Sequence, residues 1–199
     1  IACSTINVTA DRLVFRQLRG GPRLASLIAA VGLSFMFQWL GLQINGSGQR
    51  IWPTVIPNGG VTLGPITIDY STIVVTGITI PILIALTAFV TRTRHGQAMR
   101  ATSQDMGAAE LMGINVNRTI GVTFAIGGAL AGAAGLLYFS TFGNTNYLDG
   151  YQFGLIAFTA AVLGGVGNLP GAVLGGFLIG ILQAFNDGFT YAIGQQWSQ

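Results

Sequence analysis

Read as apolar and polar positions, the chain alternates long charge-free runs with short polar stretches. Leu24 to Ile44, Tyr70 to Thr91 and Thr119 to Phe142 each contain no Asp, Glu, Lys or Arg. A helix of about 20 apolar residues, rising about 1.5 Å per residue, crosses a hydrocarbon core of about 30 Å and satisfies its own backbone there. These runs therefore predict membrane-spanning helices. Tyr151 to Val166 is short for a span, and full crossing and re-entry both stay open; Gly171 to Tyr191 is long enough but holds Asp187 near its end. Between them, Gly164-Gly165-Val166-Gly167-Asn168-Leu169-Pro170-Gly171 breaks a helix, because Pro lacks the donor and Gly favours open turns. A helix, a tight bend and a second helix are predicted. Ile1 to Thr9 reads as the tail of another span. The predicted class is all-α: a polytopic transmembrane helical bundle forming one domain over residues 1–199. The Ile at position 1 and the polar run Gln195 to Gln199 suggest that both natural ends are missing.

Composition agrees. Hydrophobic residues make up 51% and charged residues 8%, against about 25% charged in soluble domains. The 30 glycines suit close helix packing in a bilayer. The net charge of +3 would suggest nucleic acid on a soluble protein, but the arginines sit beside apolar runs, and no nucleic-acid partner is expected. Arg12, Arg16, Arg19 and Arg23 precede the first run, Arg92, Arg94, Arg100 and Arg118 join His95 between the second and third, and Arg50 alone lies elsewhere. Cytoplasmic loops carry this excess. Residues 10–23 and 92–118 are therefore predicted to be cytoplasmic, with Asn45 to Asp69 and Gly143 to Gly150 outside. The first cluster reads as a topological anchor or as a site for anionic headgroups. Cys3 stands alone, so no intrachain disulfide can form.

Catalytic chemistry lacks its parts. The chain contains no Lys, so it has no P-loop. Ser34 lies in the first run, whereas the single histidine, His95, lies among surface arginines, so an activated serine is not expected. HExxH patterns, cysteine clusters and paired intramembrane carboxylates are missing, and no metal or cofactor bound by this chain is expected. An ion-coupled carrier is the serious rival. Asp69, Asp149 and Asp187 all fall near predicted outward ends, which argues against proton coupling and leaves sodium coupling through carbonyls open.

The loop from Arg94 to Arg118 predicts a short helix. Thr102 caps its start, Asp105 completes a capping box, Gly113 supplies the left-handed C′ position and Ile114 packs back. Ala101, Asp105, Ala108 and Met112 then share a face of small and apolar groups, suited to a partner's groove or to a plain connector. Gly128 and Gly132 form a GxxxG pair, with Gly121, Ala125 and Gly135 near it. Gly164, Gly165, Gly167, Pro170 and Gly171 provide either close packing or a flexible bend. Pro81 predicts a kink in the second span.

Three blocks carry a resemblance. The order Ala101, Asp105, Ala108-Ala109, Leu111-Met112-Gly113-Ile114 closely resembles the coupling loop of permease subunits in bacterial branched-chain amino acid ABC importers. Phe158 to Ala172 resembles that family's glycine-rich signature, and Asp11 to Arg19 its early cytoplasmic loop, with Gln17 where proline is common. The resemblance covers nearly the whole chain, less well at Asn45 to Asp69. It implies a subunit of the bacterial inner membrane that pairs with a second permease subunit, two ATPase subunits that use the ATP, and an extracytoplasmic binding protein. It also implies an ATPase contact through Ala101, Asp105, Ala108, Ala109, Leu111, Met112, Gly113 and Ile114. Sugar permeases share the glycine-rich block more loosely and remain an alternative. For the substrate pathway the candidates are Thr159 and Asn186, polar groups on apolar segments that also suit helix-to-helix hydrogen bonds.

Overall fold

The computed structural model describes residues 1–18, 23–46, 48, 50–51, 59–63 and 66–197; Arg19 and much of the predicted outer stretch 45–69 lie outside the described residues. The chain forms two compact units, Ile1–Tyr147 and Leu148–Gln199.

In the first unit, α1 (Ala2–Ala10) continues through a π-helical segment, Asp11–Phe15, into α2 (Arg16–Leu18). The long helices α3 (Arg23–Asn45), α4 (Tyr70–Arg92) and α7 (Val116–Phe142) follow, with α5 (Arg94–Gln104) and α6 (Met106–Leu111) between the last two. The second unit holds α8 (Asp149–Gly164) and α9 (Leu169–Trp197). Among the described residues, four stretches are long and apolar enough to cross a membrane: Ala25–Ile44, Tyr70–Arg92, Val116–Thr141 and Leu169–Asn186. At 16 residues, α8 measures about 24 Å, short of an average bilayer core of about 30 Å. Pro81 lies inside α4 and leaves the carbonyl of Gly77 without its usual helical donor.

Helix α1 packs along α7, and glycine makes the approach possible. A Cβ on Gly128 would meet the Cys3 carbonyl oxygen at 2.7 Å and the Ser4 Cα at 2.9 Å, and one on Gly132 would meet the Cys3 Cβ at 3.1 Å. The GxxxG face is thus filled from within the chain. Ser4 Oγ donates to the Ala125 carbonyl (2.8 Å) and Asn7 Nδ2 to the Phe124 carbonyl (2.9 Å). Asp11, 2% exposed, lies over Gly121, and Phe15 packs on Phe124 with ring centroids 5.2 Å apart. The described part of the Asp11 to Arg19 block is therefore helical rather than an open loop, because its inward face is bound to the first turns of α7.

Short antiparallel ladders tie the opposite end. β1 (Arg50–Ile51) pairs with β4 (Asn144–Thr145), and β2 (Gly60–Leu63) with β3 (Ile66–Asp69). The first ladder joins the segment after α3 to the segment after α7, so both lie at one end of the unit. Asp11–Phe15 and the α5–α6 segment lie at the other, where α7 begins. These strands are confined to connections, and the protein is a helical bundle.

The second unit is a helical hairpin with backbone almost in contact with backbone. A Cβ on Gly164 would strike the Gly171 carbonyl, one on Gly171 the Gly164 carbonyl, and one on Gly175 the Ala160 carbonyl. The bend is confined to Gly165–Asn168. Gly165 (φ 92°) and Gly167 (φ 93°) occupy conformations that Gly adopts without strain, and Asn168 N–H donates to the Gly165 carbonyl at 3.0 Å. Pro170 sits in the first turn of α9, where its missing N–H costs little, so the helix resumes before Gly171 instead of after it.

Candidate functional site

The segment between α4 and α7 is built from caps. Thr93 Oγ1 accepts the Gly96 N–H (3.1 Å) and donates to the Phe89 carbonyl (2.6 Å), which starts α5 while closing α4. Asp105 breaks the path with extended backbone (φ −152°, ψ 113°), and its Oδ1 accepts the Ala108 N–H at 3.0 Å, starting α6. Gly113, at φ 81°, ends α6: its N–H donates to the Glu110 carbonyl (2.9 Å) and the Ile114 N–H to the Ala109 carbonyl (3.0 Å), the double bond pattern of a Schellman close. Asn115 Oδ1 then accepts the Arg118 N–H (3.0 Å) and starts α7.

The predicted capping box is corrected by this geometry. Thr102 is not a cap; it lies inside α5, 8% exposed, and its hydroxyl has no partner among the described residues. Asp105 is the N-cap itself. An unbroken Thr102–Met112 helix would have to pass through Asp105, where the chain is extended. Two helices, α5 and α6, separated by that extended residue replace it.

The bend changes which candidate side chains face outward. Leu111 is 89% exposed and Met112 81%, so the tip of α6 turns two large apolar groups away from the rest of the chain. Asp105, Ala108 and Gly113 are also exposed, whereas Ala101 and Ile114 are half-buried. Ala109 is 4% exposed, and neighbouring Val116 is buried too. Ala109 therefore seats α6 on its own chain and has no surface left to offer a partner.

The pathway candidates lie elsewhere, in the second unit. Thr159 Oγ1 is held by its own helix, at the carbonyls of Leu155 (2.8 Å) and Ile156 (2.9 Å). Asn186 is exposed on α9, ten residues beyond Gly176, which packs on Ala160; at about 1.5 Å per residue this separates it from Thr159 by about 15 Å. Ser34, in the first span, donates to the Ala30 carbonyl of its own helix (2.9 Å).

Two further features of the fold lie outside the expectations drawn from the sequence. One is a groove of about 370 Å³ between α4 and α7, lined by Thr72, Thr76, Thr79 and Thr141 among Leu130 and Ala134. Thr72, Thr76 and Thr79 fall on one helical face, a spacing visible in the sequence. Thr79 and Thr141 donate to the carbonyls of Val75 and Leu137, leaving their oxygens as acceptors. The other is the polar row Ser4 and Asn7 on α1 and Asp11 at the start of the π-helical segment, spaced at about one turn, which marks the face turned to α7.

Comparison with known proteins bears on all of this. A family model described as the permease component of branched-chain amino acid transport systems matches residues 15–199. The chain belongs to that family. It is 39% identical, over 93% of its length and 62% of the relative's, to the high-affinity branched-chain amino acid transport system permease protein BraD of Pseudomonas aeruginosa. Against the permease LivH of Escherichia coli K12 it is 36% identical, covering 95% of this chain and 63% of that one. The xylose transport system permease protein XylH of the same strain is 32% identical over 78% of this chain. The chain thus spans less than two thirds of the length of these two branched-chain amino acid permeases. No solved structure matches it. With four helices among the described residues able to cross a bilayer, this permease-family chain is a multi-pass membrane protein.

Proposed function

We propose that the chain belongs to a permease subunit of an ATP-driven importer of branched-chain amino acids in the bacterial inner membrane. Residues 10–23 and 92–118 face the cytoplasm and 45–69 and 143–150 face outward, as the arginine distribution asks. The subunit lines part of the pathway beside a second permease subunit. Two cytoplasmic ATPase subunits drive it, and an extracytoplasmic protein delivers leucine, isoleucine or valine. Hydrolysis belongs to the ATPases, since this chain has no lysine for a P-loop.

One observation carries the coupling role: α6 holds Leu111 and Met112 in solvent at the junction between the end of α4 and the start of α7. Two large apolar side chains at a capped, glycine-closed tip fit a groove on another protein. A partner that moves this tip between two positions biases the spans on either side. Ala108, exposed on the same short helix, is the residue to perturb. In the full-length subunit assembled with its partners, Ala108→Arg is expected to insert normally and to lose leucine uptake per ATP hydrolysed. Normal uptake with normal ATPase association sinks the docking role. A second reading, sugar transport, draws on the xylose permease relative; leucine and xylose uptake in the same vesicles decide between them.

A further inference from the structure

The end of α4 is finished by α5, not by itself. A helix leaves its last four carbonyls without intrahelical donors, and a buried or crowded end must find them partners. In α4 the Phe89 carbonyl receives the Thr93 N–H (3.2 Å) and the Thr93 hydroxyl (2.6 Å). The Val90 carbonyl receives Arg100 Nη1 at 2.7 Å, and the Thr91 carbonyl receives Arg100 Nη2 at 3.4 Å. Arg100 thus reaches back across the Thr93 corner with both arms of its fork, bringing a fixed positive charge to the negative end of the helix dipole. The corner itself is tight. Gly96 is buried, and a Cβ there would collide with the Val90 carbonyl, so the first turn of α5 lies against the last turn of α4. Beyond Arg100 the connection changes character: one extended residue, Asp105, separates α5 from α6, and Ala109 ties α6 to its own chain.

We infer that Arg100 is a positioning residue that locks α5 to the end of span α4, so that the two move as one body and a displacement of the α6 tip reaches α4 through them. The inference rests on the coupling role proposed above and adds to it the route by which motion enters a span. The soft point of the route is Asp105, and the stiff point is the Arg100 fork. Removing the fork leaves α6, its exposed tip and the partner's docking surface intact, while α4 loses its fixed connection to them.

The test uses the full-length subunit in its complete transporter, reconstituted in vesicles with leucine as the probe. Arg100→Ala is expected to keep membrane insertion and ATPase association and to lower leucine imported per ATP about five-fold or more, the low end of coupling between distant sites. Arg100→Lys, which supplies a charged donor without the fork, restores part of that ratio. Arg94→Ala, removing an exposed arginine from the same helix, leaves it unchanged. A normal ratio in Arg100→Ala overturns the inference. Should that variant fail to accumulate, Arg100→Gln replaces it with the same expectation, and a normal ratio there overturns it equally. Ala108→Arg, measured in parallel, separates the two ideas: if it uncouples while Arg100→Ala does not, the docking role stands and the Arg100 route falls.

Discussion

The α8–α9 hairpin and the α5–α6 pair are both helices interrupted by a break, and they are held by opposite means. In the hairpin, backbone meets backbone at Gly164, Gly171, Gly175 and Ala160, and the bend uses glycines at positive φ. In the α5–α6 pair the break falls at a non-glycine residue in extended conformation, and side-chain oxygens from Thr93 and Asp105 hold the ends. A backbone contact has no side chain that can swing aside. A cap in reach of water costs only about 1 kcal/mol to open. The hairpin is therefore the fixed piece, and the Asp105 joint between α5 and α6 is the one that can change its angle.

The largest effect should come from disturbing the hairpin. In Gly164→Leu the new Cβ falls on the Gly171 carbonyl, and backbone on both sides must separate. Overpacking against backbone is expected to cost about 3 kcal/mol, the upper part of the usual range. Thermal unfolding in detergent and the yield of inserted protein measure it. The matched control is Gly180→Leu, where the Cβ meets open space; equal losses in the two variants would show that the close approach is not what holds α8 to α9.

At the capped segment the same kind of change should be mild and local. Asp105→Ala removes the oxygen that accepts the Ala108 N–H, at a cost of about 1 kcal/mol. Global unfolding should barely shift, while amide exchange across Met106–Leu111 accelerates about five-fold, the equivalent of that energy. Asp105→Asn, still a good cap, should keep the slow exchange. A global loss matching that of Gly164→Leu would erase the distinction between the two breaks.

How far this contrast could be read from sequence depends on the range of the forces. The long spans were legible because a bilayer demands length without charge, and Leu24 to Ile44, Tyr70 to Thr91 and Thr119 to Phe142 meet that demand locally. Gly113 was legible because a helix close at φ 81° selects glycine. The break at Asp105 was not, since Thr102 and Asp105 are both competent caps and local chemistry does not rank them. The choice is tertiary: Arg100 and Gly96 bind α5 to α4 and so set where α5 begins and which way it points. The GxxxG pair announced a close contact without naming the partner, and α1 lies more than a hundred residues away in the chain. The β1–β4 ladder has no local signature, because each strand holds two residues. Ala109 was grouped with Ala108 and Leu111 through the family resemblance, which carries no information on which side of α6 the rest of the fold covers.

The smallest expected effect has the opposite sign. Thr102 is buried in α5 with its hydroxyl unpartnered among the described residues. A buried hydroxyl without a hydrogen bond carries its desolvation cost for no return, and replacing it by a methyl of the same shape removes that cost. Thr102→Val should therefore leave the segment as stable as before or raise its stability by up to about 1 kcal/mol. β-branching is kept, so helix propensity changes little. Slower exchange at the α5 amides, with unchanged unfolding of the hairpin, is the expected result. If Thr102→Val loosens α5, the hydroxyl must be bonded when the loop adopts its other position, and this buried threonine would then belong to the moving part of the segment.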